Sequence, residues 1–166
     1  CKLHPPKDAD FFIALGYSKV NEVRKKKYEH FKKMGYKLAS FISPDSNLLH
    51  DNKIGENVFL LEDNTIQPFV TIGNNVTLWS GNHIGHHSHI SDHCFISSQV
   101  VISGRVEVGE QCFIGVNSSI RDHLLIGSKS IIGAGSLILS DVMPNSVYRG
   151  NETKPSAISS ARLGRI

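Results

Sequence analysis

The sequence is poor in aromatic residues, 8% with a single Trp, and it has only two Met and three Cys among its 166 residues. No run of about 18 apolar residues occurs, so no segment is expected to cross a bilayer as a helix. No charged-then-apolar signal segment opens the chain, and a cytoplasmic protein is expected. The net charge is +3, and basic residues are not interleaved with aromatics, so nucleic acid is not expected as a partner. What the chain does have is 40% hydrophobic residues, together with many Gly, Asn and Ser.

Those hydrophobic residues keep a strict period. From Ile42 through Leu48, Ile54 and Leu60 to Ile132 and Ile138, every sixth residue is aliphatic, seventeen in succession. Four residues after each lies a second column, small or β-branched at Val58, Val70, Val76, Ser88, Cys94, Val100, Val106, Cys112, Ser118, Ser130, Ser136 and Val142; Asn52, Asn64, Asn82 and Leu124 depart from it. Glycine follows the aliphatic residue at 55, 73, 85, 109, 115, 127 and 133, where a tight corner leaves no room for a Cβ. A helix stripe repeats at 3.6 residues and a strand face at 2, so neither holds one residue class at sixes over about a hundred residues. A hexapeptide solenoid does. Three hexads make one triangular coil of eighteen residues, and each short strand pairs in parallel with its equivalent one coil on. Seventeen hexads predict nearly six coils of mainly β structure, with a core shared between neighbours. Cys94 and Cys112, eighteen residues apart in the second column, should stack in adjacent coils. A disulfide is geometrically conceivable there, but two buried thiols in a reducing compartment are the expectation.

The ends read differently. Phe11 to Leu15 is an apolar run ending at Gly16, a helical segment follows from about Ser18, and 37–42 is apolar again, which predicts a β-α-β unit. Ser18 is the expected N-cap, Gly35 the stop, and Val20, Val23, Phe31 and Met34 the buried helix face. Arg24, Lys25, Lys26, Lys32 and Lys33 fall on the opposite, solvated face. The chain begins at Cys1 without a methionine, and only the later part of an α/β domain is expected in it, as in a fragment or trimmed chain. The hexads end after Val142, Pro144 breaks the pattern, and the tail is expected to be loop plus a short helix covering the open end of the solenoid. The expected organisation is a partial α/β domain at 1–41, a β-helix at 42–143 and a capping tail at 144–166.

The chemistry is concentrated in 78–94, LWSGNHIGHHSHISDHC, which holds five of the nine histidines. His86, two places after an aliphatic residue, should point out of the prism, where a neighbouring prism can supply the other wall of a cleft. His83, His89 and His93 read individually as surface or corner residues.

The hexad prism with an outward histidine in Ile84-Gly85-His86-His87-Ser88 resembles the left-handed β-helix acyltransferases. The β-α-β remnant running into FISPDS, then the histidine segment, then VEVGEQCFIGVNSSI and SIIGAGS, resembles more closely the NeuD/PglD-type sugar acetyltransferases. Left-handed coiling comes with that resemblance, since parallel crossovers are otherwise right-handed. The resemblance implies an acetyl-CoA-dependent acetyltransferase acting on a nucleotide-linked amino sugar, or, as an alternative, on a hydroxyl of a sialic acid-like sugar. It implies a homotrimer with sites between subunits and needs no metal. It makes His86 the general base and Gly104, one coil along, the backbone N–H donor to the thioester carbonyl. Val116 and Ala134 fall at positions that touch the pantetheine arm, and Lys154 near the CoA phosphates. His83, His87 and Trp79 are the candidates for contact with the sugar nucleotide. Two departures from the family pattern stand out. Gly85 and His87 occupy the places of acids beside the base, so the group that orients His86 is to be found among Asp92, Glu107 and Asp122, and Phe95 replaces a second, substrate-side histidine.

Two rivals belong to other classes. A γ-carbonic-anhydrase-type metal hydratase would use His87 and His123, two coils apart, but Ser128 stands where its third ligand belongs. A non-catalytic scaffold is compatible with the altered flanks of His86.

Overall fold

A computed structural model describes residues 5–6, 9–150 and 152–162. Two-residue strands recur every six residues from Phe41–Ile42 to Leu137–Ile138, and a last one, Val147–Tyr148, follows. They stack as three parallel sheets. The first face runs Phe41–Ile42, Phe59–Leu60, Thr77–Leu78, Phe95–Ile96, Phe113–Ile114, Ile131–Ile132 and Val147–Tyr148. The second contains His83–Ile84 between Thr65–Ile66 and Val101–Ile102. The third contains His89–Ile90 between Thr71–Ile72 and Glu107–Val108. The register is one coil of eighteen residues, as the hexads require, and the solenoid has about six turns.

The two columns fill the interior. From Val58 to Val142 the aliphatic and small residues form one buried cluster. At about 25 cal/mol per Å² of apolar surface, each fully buried Ile or Leu contributes roughly 1.5–3 kcal/mol against exposure. Two of the asparagines that depart from the second column are buried as well and satisfied by stacking. Asn82 Nδ2 donates to Asn64 Oδ1 at 2.9 Å, and Asn82 Oδ1 accepts from Val100 N at 2.8 Å. Cys94 and Cys112 lie in this core as free thiols. Burial pushes the Cys94 thiol up, and its Sγ is 3.1 Å from the Gly109 carbonyl oxygen.

The corners divide their demands between two positions. The third residue after the aliphatic one takes the left-handed conformation, as at Asn75 (φ 55°), His87 (φ 59°) and Arg105 (φ 59°). The first residue after it faces the backbone of the next coil. A Cβ on Gly85 would sit 2.4 Å from Gly104 N.

The solenoid runs past the boundary read at 143. Val142 bridges Ile126 and Val147–Tyr148 pairs with Ile131–Ile132, so Val142 stands in the aliphatic column rather than the small one. The corner before it is two residues short, which is why strict sixes land on Pro144. Asp141 Oδ1 accepts from Leu125 N at 2.9 Å, where a regular corner would present a carbonyl. Beyond Tyr148 the described tail is exposed, with a 3₁₀ turn at Ser160–Arg162. Leu137, Leu139, Met143 and Val147, at outward positions of the last coil, are exposed, whereas the inward Ile138 and Val142 are buried.

The expected β-α-β unit is reduced to one parallel bridge, Phe11 to Leu38. Helix α1 spans Glu22–Lys33 and follows Asn21, whose φ is 62°; Ser18 does not cap it. Gly35 (φ 85°) ends it in a Schellman motif, with Tyr36 N donating to Phe31 O and Gly35 N to Lys32 O. The buried face also differs from the expectation. Val23 and Met34 are exposed, whereas Arg24 is 1% exposed and Tyr28 and Phe31, four and seven residues on, face the same way.

Arg24 is the bolt of this docking. Its guanidinium donates to Thr77 Oγ1, Asn21 Oδ1 and the carbonyls of His93 and Cys94, and it lies 5.7 Å from the Phe95 ring centre. Burial lowers its pKa to about 10, so it stays charged at neutral pH, held by dipoles rather than by a carboxylate. Around it, Lys25 pairs with Glu110 at 2.5 Å and Lys32 with Glu56 at 2.7 Å. The basic residues assigned to solvent thus include three that fasten the helix to the prism.

Candidate functional site

His86 stands exposed on the corner between the second and third faces. Its backbone is held from both sides. His86 N donates to Gln67 Oε1 at 2.8 Å, and His86 O accepts from Arg105 N at 2.8 Å. The imidazole lies over Gly104. A Cβ built there would be 2.7 Å from His86 Nε2 and 2.8 Å from Cε1, so only glycine admits the ring in this position. Among the described residues nothing accepts from the Gly104 N–H, and its carbonyl accepts from His123 N at 3.0 Å. A basic ring nitrogen and an unengaged backbone donor therefore share one corner, one coil apart.

The remaining ring nitrogen has a partner that the sequence did not point to. His86 Nδ1 is 3.1 Å from Nδ1 of His87, whose own ring packs on Phe69 with centroids 4.8 Å apart. The three carboxylates considered for orienting His86 are engaged elsewhere or make no contact with it. Asp92 accepts from Asn74 N at 2.7 Å, Asp122 is 3.7 Å from His123, and Glu107 points out of the third face opposite His89.

The other candidates are spread over different elements. His83 is half-buried in the middle of the second face, between Thr65 and Val101. Val116 and Ala134 are exposed on the corner between the first and second faces, the opposite edge from His86 and Gly104. Trp79, 44% exposed, lines a cavity of about 250 Å³ between the first face and residues 12–17, together with Phe12, Tyr17, Phe59 and Phe95. Phe95 itself is buried against Tyr17, Phe113 and Arg24, on a different face from His86. Lys154 is exposed and makes no hydrogen bond or ion pair among the described residues. His89 is exposed on the third face beside Ser91, Asp92, Glu110 and Ser128.

His93, read as a surface residue, is buried beneath α1. It ends a polar ladder in which Asn57 Nδ2 donates to Asn75 Oδ1 and Asn75 Nδ2 donates to His93 Nδ1, each at 2.8 Å. The ladder begins where Ile13 N donates to Asn57 Oδ1 at 2.8 Å, and so it ties the N-terminal segment to three coils. It requires a neutral imidazole that accepts at Nδ1, and burial lowers the His93 pKa accordingly. Below the ordinary histidine pKa of about 6.5 the unfolded chain takes up this proton while the folded chain does not, so stability falls as pH drops from there toward the folded value. Measured between pH 8 and pH 5, the denaturation midpoint should decline with a slope that His93→Gln makes shallower.

Among the described residues no group of three His, Cys, Asp or Glu is gathered to hold a metal ion, and no helix is long and apolar enough to cross a membrane.

The comparisons agree with this architecture. The bacterial transferase hexapeptide (six repeats) family matches residues 53–86 and 69–104. The acetyltransferase domain of PglB from Neisseria gonorrhoeae superposes with a TM-score of 0.83 at 25% identity, over 91% of this chain and 72% of that one. PerB from Caulobacter crescentus, solved with CoA and GDP-perosamine, gives 0.80 at 24% identity, over 84% of this chain and 66% of that one. WeeI from Acinetobacter baumannii gives 0.73 at 20% identity, over 76% of this chain and 62% of that one. The chain thus spans about two thirds of the length of these neighbours. No curated protein matches the sequence. The repeat and the coil are those of a hexapeptide-repeat β-helix, and the transferase hexapeptide repeats match the stretch 53–104. The chain's solved neighbours include NeuD/PglD-type sugar acetyltransferases, the type its sequence resembles.

Proposed function

We propose that the protein transfers an acetyl group from acetyl-CoA to the amino group of a nucleotide-linked amino sugar, with His86 as general base. The observation that carries this reading is the seat of the His86 ring on Gly104, which sets a proton acceptor beside a free backbone N–H. Two neighbours add weight: PglB has been solved with acetyl coenzyme A and PerB with CoA and GDP-perosamine.

The reaction needs those two groups. A protonated amine has no lone pair with which to attack, and an imidazole is the side chain whose basicity suits proton removal near neutrality. As the amine attacks the thioester carbon, a C–N bond forms and the carbonyl oxygen becomes an oxyanion. In this mechanism His86 Nε2 takes the proton, Gly104 N–H donates to the oxyanion, and the intermediate collapses as the C–S bond breaks and the CoA sulfur leaves with a proton. No acyl-enzyme is required. Cys94 and Cys112, closed in the core, take no part.

A second copy of the chain is part of the proposal. His86 and Gly104 lie on one edge of the second face and Val116 and Ala134 on the other, so one prism does not bring base and pantetheine contacts together. In a trimer of parallel prisms, the edge of one copy meets the opposite edge of its neighbour. Acetyl-CoA and nucleotide sugars are both cytoplasmic metabolites, which suits the expected location.

The test is thiol release from acetyl-CoA against a panel of nucleotide-linked amino sugars and free sialic acid. Turnover confined to amino acceptors supports the reading, and turnover confined to hydroxyl acceptors replaces it with O-acetylation. Absence of turnover on every acceptor, with no shift of the thermal midpoint by acetyl-CoA, sinks it in favour of a scaffold.

A further inference from the structure

We infer that His87 is the positioning residue for His86, accepting the His86 Nδ1 proton and thereby leaving Nε2 bare as the base. The inference rests on the acetyltransferase reading for its catalytic consequence, though not for its geometry. The 3.1 Å separation of the two Nδ1 atoms admits one hydrogen bond, and it has two possible directions. If His86 donates, His86 Nε2 carries a lone pair over Gly104 and can take a proton. If His87 donates, His86 must hold its own proton on Nε2, and the nitrogen over Gly104 is blocked.

The surroundings hold the proposed acceptor in place. His87 is held away from free rotation by its left-handed corner (φ 59°), by His87 N donating to Pro68 O at 3.1 Å, and by the Phe69 ring beneath its own. A neutral His87 with its proton on Nε2 presents the Nδ1 lone pair toward His86. When His86 takes up a proton it becomes an imidazolium, and its Nδ1–H to His87 turns into a charge-assisted hydrogen bond, stronger than the neutral one. The pair is thus strengthened as proton transfer proceeds. A carboxylate would do this with a full charge; a neutral imidazole does it with a dipole.

The experiment labels the protein with ¹⁵N-histidine and reads the imidazole tautomers from long-range ¹H–¹⁵N spectra, with the His86 signals assigned by their loss in His86→Gln. In the wild-type protein His86 should be protonated at Nδ1 and bare at Nε2. His87→Phe keeps a ring against Phe69 but removes the acceptor, and should move the His86 proton to Nε2. His87→Asp restores an acceptor and should return it to Nδ1. Turnover should follow the tautomer: kcat should fall about 10–100-fold in His87→Phe, with KM for acetyl-CoA unchanged within about twofold, and recover in His87→Asp. An Nε2-protonated His86 in the wild type, or a His87→Phe variant with unaltered tautomer and kcat, overturns the assignment. The spectra need no acceptor, so they decide the pairing even where the proposed activity itself fails.

Discussion

Replacing His86 by alanine is expected to lower kcat with the best acceptor by about 10²- to 10⁴-fold, the span that loss of a positioned general base produces. That range equals about 3 to 5 kcal/mol on the barrier. The fall should lie in kcat rather than in KM for acetyl-CoA, because the imidazole acts on the attacking amine. It should also shrink as pH rises, since more of the amine is then free to attack and hydroxide can take the proton that bond formation releases. Folding should be nearly untouched. His86 is exposed, its backbone hydrogen bonds to Gln67 and Arg105 survive the change, and surface substitutions of this kind cost within about 0.5 kcal/mol. A thermal midpoint measured beside the rates separates the two effects. Full activity in His86→Ala would move the base to His83 or His89.

The second large effect is expected at a residue with no part in the chemistry. Arg24→Ala removes a buried guanidinium that satisfies Thr77, Asn21 and two carbonyls at once. Hydrogen bonds to charged groups contribute about 1.5–3 kcal/mol each, so a loss of roughly 3 kcal/mol for the set is a modest expectation. It should appear locally. Amide hydrogen exchange should quicken across 10–38, while amides of the buried coils from 58 to 138 keep their protection, as expected of a solenoid whose coils hold one another. Arg24→Lys should rescue little, because an ammonium cannot span the partners that a planar fork reaches. If exchange quickened equally in every coil, the helix would be integral to the β-helix rather than docked on it.

The difference between these two residues explains what the sequence made legible. His86 could be found because the hexads fix which positions point outward, and the neighbouring glycine at 104 follows from the same count. Arg24 could not. A basic residue on an amphipathic-looking helix reads as solvated, and its burial becomes favourable through acceptors that the coils contribute more than fifty residues later, Thr77 Oγ1 and the carbonyls of His93 and Cys94. His93 was missed for the complementary reason: its corner position is an outward one, and α1 happens to lie over it. The coil after Ile138 was lost through counting. Two residues are absent from one corner, Asp141 replaces the missing acceptor, and a strict period has no means of registering the step. His87 belongs to a fourth kind. Its place was noted as the site of a missing acid, and only the fold shows that the replacement reaches a ring nitrogen of His86.

The stacking of His86 on Gly104 also sets the unit in which this molecule tolerates changes of length. The two residues meet because they are one circuit apart, not because they are near in sequence. Eighteen extra residues inserted after Val108, a complete lap, would lengthen the column and keep Val116 and Ala134 on their own edge of the prism, one lap further from the pair. Six extra residues between 86 and 104 would carry the downstream chain one third of a turn around the axis and bring a different residue beneath the imidazole. Length variation that preserves the site is therefore quantised in whole laps, unless a corner absorbs the remainder, as the one before Val142 does.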